Sequence, residues 1–451
     1  MDTTADVIVV GMGVGGEMVA GQLCEAGLDV IGIEGRLVGG ECPYWGCIPS
    51  KMAIRAADTL AETWRVHQLA GRAHAISDWS PVADRIRNEA TSNWDDAAAV
   101  KRFTDKGGRF IRGWGRLVAP GEVEVNGDRY EARKGIVIGA GTSPAIPPID
   151  GLASTPYWTN RDALEAEELP DSLVVLGGGA IGLELAQAFG RFGVRVEIVE
   201  GTDRLLPSEE PEAGELVAET LENEGCQVHL DTNVARVEYA DGFSVYFEDG
   251  HKISADKFLV STGRKPNLKE LGIAAVGLDD TAKAIQVDER MRAGQRLWAV
   301  GDITGQGAFT HVAVYQAKIA ARDILGQGGM SADYRALPRV TFTDPEIGAV
   351  GMTTRQAQRK GVPVATGIVR LPSTPRGWIY KAGNDGFIKL VVDADGDLLI
   401  GATSAGPMGG EVLSMLTLAI HARVPIATLR QMIYAYPTFH RAVEEALADL
   451  K

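Results

Sequence analysis

The 451-residue sequence predicts an α/β fold: two Rossmann-like dinucleotide-binding domains and a separate C-terminal α+β domain. Three observations carry that prediction. A strand, a glycine-rich turn, a helix and a second strand follow one another near the N-terminus. The same unit recurs near the middle of the chain. From Leu337 onward, strand and helix patterns alternate with no glycine fingerprint. The resulting boundaries are 1–150 and 268–336 for the two parts of the first nucleotide domain, 151–267 for the second nucleotide domain and 337–451 for the last domain.

The first unit occupies residues 6–35. Its apolar run Val7-Ile8-Val9-Val10 reads as a buried strand that leads into Gly11-Met12-Gly13-Val14-Gly15-Gly16, a helical stretch and a second strand ending at Glu34. Gly11 permits the tight turn, Gly13 lets the backbone reach a pyrophosphate, and Gly16 lets helix and strand pack closely. The pyrophosphate would sit at the helix N-terminus, where unpaired N–H groups favour anions. Glu34 is placed to accept a ribose hydroxyl. One Gly-x-Gly-x-x-Gly is weak by itself, but residues 172–201 repeat the whole unit. Gly177, Gly179, Gly182, Gly193 and Glu200 each follow Gly11, Gly13, Gly16, Gly27 and Glu34 by 166 residues. Two complete nucleotide sites therefore lie in one chain, Ile181 being part of the second turn.

Residues 39–51 read Gly-Gly-Glu-Cys-Pro-Tyr-Trp-Gly-Cys-Ile-Pro-Ser-Lys and place Cys42 and Cys47 in one small loop. A disulfide closing so short a ring would stabilise the fold by only about 2 kcal/mol, which suits a bond made and broken in turnover better than a staple. Two buried structural thiols or half of a metal site are the alternatives, and the sequence has no second cysteine pair or histidine cluster to complete a tetrahedral site. Gly39, Gly40 and Gly46 allow close backbone approach, while Pro43 and Pro49 restrict the chain.

Between the repeats, residues 51–69 and 81–106 read as long helices. Residues 110–130 read as short strands, 136–142 as a strand running into a small-residue turn, and the proline-rich stretch 143–151 as an interdomain crossing. Residues 228–258 are strand-rich, 297–302 form a strand ending in Gly301-Asp302, and a helix follows from about His311.

With 45% hydrophobic and 23% charged residues the chain has an ordinary globular composition, and its net charge of -15 argues against nucleic acid or anionic membranes as partners. Four cysteines in so long a chain do not make a disulfide scaffold; a reducing, cytoplasmic location is expected, with Cys24 and Cys226 as buried hydrophobes. No apolar run reaches the length of a membrane span, and the short N-terminal run reads as a strand and not a signal peptide.

Taken together, these motifs resemble the flavoprotein pyridine-nucleotide disulfide oxidoreductases, among them dihydrolipoamide dehydrogenase, glutathione and mycothione reductases and mercuric reductase. The resemblance covers nearly the whole chain. It rests on Gly-Gly-x-Cys-x4-Cys-x-Pro-Ser-Lys, then on the order of the remaining motifs: the first fingerprint, residues 139–142, the second fingerprint, residues 261–267, Gly301-Asp302 and Pro345-Glu346-Ile347-Gly348. It implies FAD on the first fingerprint (Gly11, Gly13, Gly16), with Glu34 on the adenosine ribose, the backbone near Gly115 at the adenine and Gly40 and Gly141 close to the cofactor. It further implies Asp302 on the ribityl chain and 310–313 (Thr310, Ala313) near the isoalloxazine.

By the same resemblance NAD(H) takes the second fingerprint (Gly177, Gly179, Ile181, Gly182), with Glu200 on its ribose and Gly263 nearby. A carboxylate at Glu200 repels a 2′-phosphate, so NAD(H) is expected over NADP(H). The implied route passes hydride from NADH to flavin N5 and electrons on to a Cys42–Cys47 disulfide, Cys47 facing the flavin and Cys42 exchanging with substrate. Lys51 would lie beside N5 with Glu184 as its ion-pair partner, and the last domain would form a homodimer interface.

The substrate side departs from that pattern. In the disulfide reductases the C-terminal segment carries His-Pro-Thr-x-x-Glu, whereas here it reads Tyr436-Pro437-Thr438-Phe439-His440-Arg441. A phenol with an ordinary pKa near ~10 is a poor base at neutral pH. His440, expected one helical turn after Tyr436, could serve instead, oriented by Glu444; otherwise Tyr436 contacts the substrate, as in mercuric reductases. Those enzymes carry a C-terminal vicinal cysteine pair, and no cysteine follows Cys226 here. Tyr44 and Trp45 predict a narrow, aromatic pocket. The resulting expectation is an FAD-dependent, NADH-linked oxidoreductase of a small disulfide or dithiol. The alternatives are an NADH-dependent quinone, metal-ion or oxygen reductase, or a non-turnover flavin redox sensor.

Overall fold

Strand β1 (Thr4–Val10) alternates between two cores, which is why its apolar run is unbroken. Ile8 and Val10 pack with Ile31, Ile33, Ile136 and Ile138, whereas Val7 and Val9 pack with Val30, Val137 and the helices on the other face. The computed structural model describes residues 3–451 and divides the chain into two compact units, Met1–Pro49, Arg85–Ala145, Arg264–Asp333 and Ser50–Asp84, Ile146–Gly263, Tyr334–Lys451.

In the first unit, β1 leads through α1 (Val14–Glu25) to β2 (Val30–Glu34) and the short α2 (Glu41–Trp45). Later come α5 (Ala97–Asp105), β3 (Arg109–Arg112), β4 (Arg116–Ala119), β5 (Glu122–Val125), β6 (Asp128–Ile138), β7 (Thr142–Pro144), β15 (Arg264–Pro266), β16 (Arg292–Gly294), β17 (Leu297–Ala299) and α9 (Thr310–Ile324). Its main sheet runs β16-β17-β6-β1-β2-β3, parallel except for β16, and the β4–β5 hairpin hangs on β6. The proline-rich crossing is ordered: β7 pairs antiparallel with β15, residues 142–144 against 264–266.

The second unit holds most of α3 (Cys47–Leu69), α4 (Ser80–Arg85) and α6 (Asn160–Glu165), then β8 (Ser172–Leu176), α7 (Ala180–Arg191), β9 (Arg195–Val199), α8 (Pro211–Asn223), β10 (Gln227–His229) and β14 (Lys257–Val260). Its parallel sheet runs β10-β9-β8-β14. Strands β11 (Val234–Tyr239), β12 (Phe243–Phe247) and β13 (Lys252–Ala255) form an antiparallel sheet beside it in sequence. The C-terminal part places β18 (Pro338–Thr341), β19 (Glu346–Gly351), β20 (Val364–Arg370), β21 (Phe387–Asp393) and β22 (Leu398–Gly406) in the antiparallel order β18-β19-β22-β21-β20, with α10 (Thr354–Arg359) and α11 (Pro375–Tyr380) in its connections. Leu390, Val392 and Leu399 of that sheet pack against α12 (Gly409–His421), α13 (Ile426–Gln431) and α14 (Ala442–Ala448).

One helix departs from expectation. Residues 81–106 form no single helix: after α4 and one π-type turn the chain breaks before α5. Ser92, Asn93 and Trp94 all adopt positive φ, and the Thr91 hydroxyl donates to the Arg87 carbonyl. Three left-handed residues in a row cannot continue a right-handed helix, whatever the apolar spacing around them. No helix among the described residues is long and apolar enough to cross a membrane.

Candidate active site

Both fingerprint turns present backbone donors to an anion. α1 begins at N-cap Gly13 and α7 at N-cap Gly179, neither with a side-chain cap, so the first-turn N–H groups stay open. At Gly16 a Cβ would lie 1.9 Å from the Gly11 carbonyl oxygen and at Gly182 one would lie 2.6 Å from the Gly177 carbonyl oxygen, so only glycine permits either turn. At Gly179 a Cβ would meet nothing within 4 Å, leaving room on that side of the turn for a ligand.

A glutamate closes each turn. Glu34 accepts hydrogen bonds from Met12 N and Arg36 N, both at 2.8 Å, and burial raises its pKa. Glu200 accepts from Gly178 N at 2.7 Å and from the Thr202 amide and hydroxyl at 2.8 and 2.9 Å. A carboxylate offers about four acceptor positions, so each retains capacity for a ribose hydroxyl. These uncapped turns and oriented carboxylates fit two dinucleotides.

Asp302 and Gly141 lie at β7. Asp302 accepts from the Thr142 hydroxyl at 2.9 Å, and Arg264 Nε donates to the same hydroxyl at 2.7 Å. Arg264 also lies 3.6 Å from Glu41, the residue before Cys42. Gly141 (φ +62°), beside Thr142, and Gly263 (φ +118°), beside Arg264, sit in the left-handed region. Gly115 packs where a Cβ would meet Val10 at 3.0 Å, Ala313 is buried on α9, and Ile181 is exposed on the first turn of α7.

Gly40, at φ +67°, opens the turn from which α2 starts. Cys42 lies half-buried within α2, and Cys47 is exposed at the first residue of α3; no disulfide joins them here. The Thr310 hydroxyl is 3.3 Å from Cys47 Sγ. A hydrogen bond with Cys47 and then burial push the Cys42 thiol well above its ordinary pKa, against a smaller lowering by Thr310. Thr310 therefore touches the thiol pair itself, a contact nothing in its own sequence neighbourhood announces. Of the two aromatics in the loop, Tyr44 is buried, its hydroxyl donating to the Val38 carbonyl at 3.2 Å, so it is part of the core and not of a pocket wall. Trp45 is partly exposed.

Lys51 meets Glu184 at 2.8 Å, with their side chains 33% and 7% exposed. Burying that carboxylate requires a cation and hydrogen bonds. It has both, because Phe342 N donates to its second oxygen at 2.9 Å. The Lys51 ammonium also lies 4.6 Å from the centre of the Phe342 ring. Phe342 is absent from every motif singled out in the sequence.

The C-terminal candidates correct one expectation. Residues 436–441 are turns and bends and α14 starts only at Ala442, so Tyr436 and His440 do not share a helix face. Pro437 lacks an amide donor, and the Thr438 hydroxyl donates to the Ala435 carbonyl, closing a turn there. Glu444 pairs with Arg441 at 3.0 Å, and the His440 ring lies 6.1 Å from that of Tyr434. Glu444 thus holds the neighbouring guanidinium, which also covers the Tyr436 ring at 5.3 Å.

Residues 5–317 match the pyridine nucleotide-disulphide oxidoreductase family and residues 337–447 its dimerisation domain. A mercuric reductase of Acidithiobacillus ferrooxidans is 34% identical over 96% of this chain and 80% of its own. A dihydrolipoyl dehydrogenase of Thermus scotoductus is 33% identical over 99% and 97%. Among solved structures, the Cu(II) complex of the HOCl-induced flavoprotein disulfide reductase RclA from Escherichia coli superposes with a TM-score of 0.87 at 25% identity, covering 99% of both chains. The membership implies FAD and a pyridine nucleotide as cofactors. With two nucleotide turns, a thiol pair heading α3 and a matched dimerisation domain in one chain, this protein belongs to the pyridine nucleotide-disulphide oxidoreductase family and is a flavoprotein disulfide oxidoreductase whose redox pair is Cys42 and Cys47.

Proposed function

We propose that this enzyme carries electrons between NADH and a small disulfide or dithiol through the Cys42–Cys47 couple, with a proton-transfer site unlike that of a standard lipoamide dehydrogenase. The observation that carries this reading is the hydrogen-bonded pair of thiols tied to Thr310 at the head of α3. In the reductive direction NADH, a proton and the substrate disulfide give NAD+ and two thiols. Bound FAD supplies the redox relay between nicotinamide and thiols. Cys42 exchanges with substrate, and Lys51, held by Glu184, is the cation on the flavin side. Replacing Cys42 with Ser should abolish disulfide turnover while NADH still reduces the flavin; retained disulfide turnover would refute the reading.

NADH is preferred over NADPH because Glu200, fixed by three hydrogen bonds, presents negative charge where a 2′-phosphate would lie. Comparing kcat/KM for the two nucleotides tests this. A homodimer is supported by the dimerisation-domain match and by Leu418 and Ile433, which are 63% and 96% exposed on that domain; light scattering checks it. A reducing, cytoplasmic compartment suits a reversible thiol pair.

A second reading, metal-ion reduction, is favoured by the mercuric reductases among the relatives and by the Cu(II) complex of the RclA structure. Among the described residues no group of three or more His, Cys, Asp or Glu side chains could hold a metal ion, so the thiol pair would itself receive it. NADH oxidation driven by Hg(II) or Cu(II), and surviving omission of every disulfide, would support it.

A further inference from the structure

Three charged residues recur along α3 at heptad spacing with alternating sign: Lys51, Asp58 and Arg65. Residues seven apart on a helix lie nearly in line. Each meets an opposite charge. Lys51 lies 2.8 Å from Glu184, Asp58 2.7 Å from Arg191, and Arg65 2.7 Å from Asp344. Glu184 and Arg191 are themselves seven apart on α7, so two helices carry matching rows of opposite charge.

The segment 342–344 is clasped along the same row. Phe342 N donates to Glu184 at 2.9 Å, Asp344 N donates to Gln187 Oε1 at 2.8 Å, Gln187 Nε2 donates back to the Asp344 carbonyl at 2.9 Å, and Arg191 lies 2.8 Å from the Asp344 carboxylate. Arg191 is the centre of this arrangement, with a side chain 1% exposed that also binds Glu224 through Nε and Nη2. Burial works against its charge, and the carboxylates of Glu224, Asp344 and Asp58 outweigh it. A planar five-donor fork can serve three carboxylates in fixed directions; a lysine at this position cannot.

We propose that Arg191 is a positioning residue for Lys51: by clamping Asp58 of α3 and Asp344 of the 342–344 segment onto α7, it fixes the register in which Lys51 meets Glu184 and the face of Phe342. The proposal rests on the reading of Lys51 as the flavin-side cation. Sliding α3 along α7 would break all three ion pairs together, so the register is held one heptad and two heptads away from the lysine.

The test compares wild-type holoenzyme with Lys51→Met, Arg191→Lys and Asp58→Asn. It reads the flavin midpoint potential, kcat and KM for NADH, and the rate of reductive methylation of Lys51 followed by peptide mass spectrometry. Lys51→Met should lower the potential. Arg191→Lys should lower it in the same direction by less, raise the methylation rate of Lys51 severalfold, and cut kcat about 10-fold with KM for NADH changed less than about 2-fold. Asp58→Asn, an isosteric change at a partly exposed site, should repeat these effects more weakly without depending on refolding of the buried centre. Wild-type potential and wild-type Lys51 methylation in both Arg191→Lys and Asp58→Asn would overturn the positioning role. An unchanged potential in Lys51→Met, with faster Lys51 methylation in Arg191→Lys, would instead keep the positioning and reject the flavin-side role of the lysine.

Discussion

The head of α3 and the turn before α14 are both short stretches proposed to handle the reaction, and they are built in opposite ways. Around α3 each reactive group is fixed from several directions: Cys47 touches Thr310, and Lys51 is held by a buried carboxylate and an aromatic face. Before α14 the groups are exposed or held only by neighbours in sequence. Tyr436 is 67% exposed, and its guanidinium cover comes from Arg441 five residues on. Electron transfer over a fixed route requires geometry that does not drift, whereas a substrate-facing turn must admit and release different partners.

Substitutions should therefore separate the two regions. Cys47→Ser should reduce disulfide turnover by roughly a thousandfold or more, since a hydroxyl cannot form the disulfide. Activity within tenfold of wild type would remove the thiol pair from the reaction. Glu184→Gln keeps the bond from Phe342 N but strips Lys51 of its counter-charge. It should cut kcat by about 10- to 100-fold and destabilise the fold by about 1–2 kcal/mol, the lysine being partly rehydrated. An unchanged unfolding midpoint and rate would show the pair to be incidental. At the C-terminal turn Tyr436→Phe should lower kcat about 10-fold and His440→Ala less than about 3-fold, because the tyrosine stands where the family carries its base. A larger loss with His440→Ala would reverse that assignment, and equal indifference would take the turn out of proton transfer altogether.

The smallest expected effect is one of pH. Burial raises Asp58 to about 6 from 3.8, in spite of the attraction of Arg191. The folded state thus binds this proton more tightly than the unfolded chain, so the contribution is present below about pH 4 and is lost as pH rises through about 6. Chemical denaturation should show wild type losing stability relative to Asp58→Asn as pH rises from about 4 to about 6. A parallel pair of pH profiles would contradict it.

The redox stretch was legible because its chemistry is contiguous: two cysteines, two prolines and three glycines within residues 39–51 constrain one another locally. Both nucleotide turns were legible for the same reason, since Gly16 and Gly182 are required by atoms of their own turns and flanking strands. The pairing of Lys51 with Glu184 came from resemblance, not from spacing. The break in 81–106 was hidden because apolar periodicity continues across residues whose backbone is left-handed.

By itself, then, the sequence determined the α/β architecture, the two nucleotide turns and the identity of the thiol pair, because each is specified by residues close together in the chain. Only the tertiary structure decided that Thr310 bonds the thiols, that Phe342 completes the Lys51 site, and that Glu444 turns to Arg441 and not to His440. Those choices depend on which distant or competing charges and hydrogen-bonding groups folding brings within reach, and on which of them wins a buried partner.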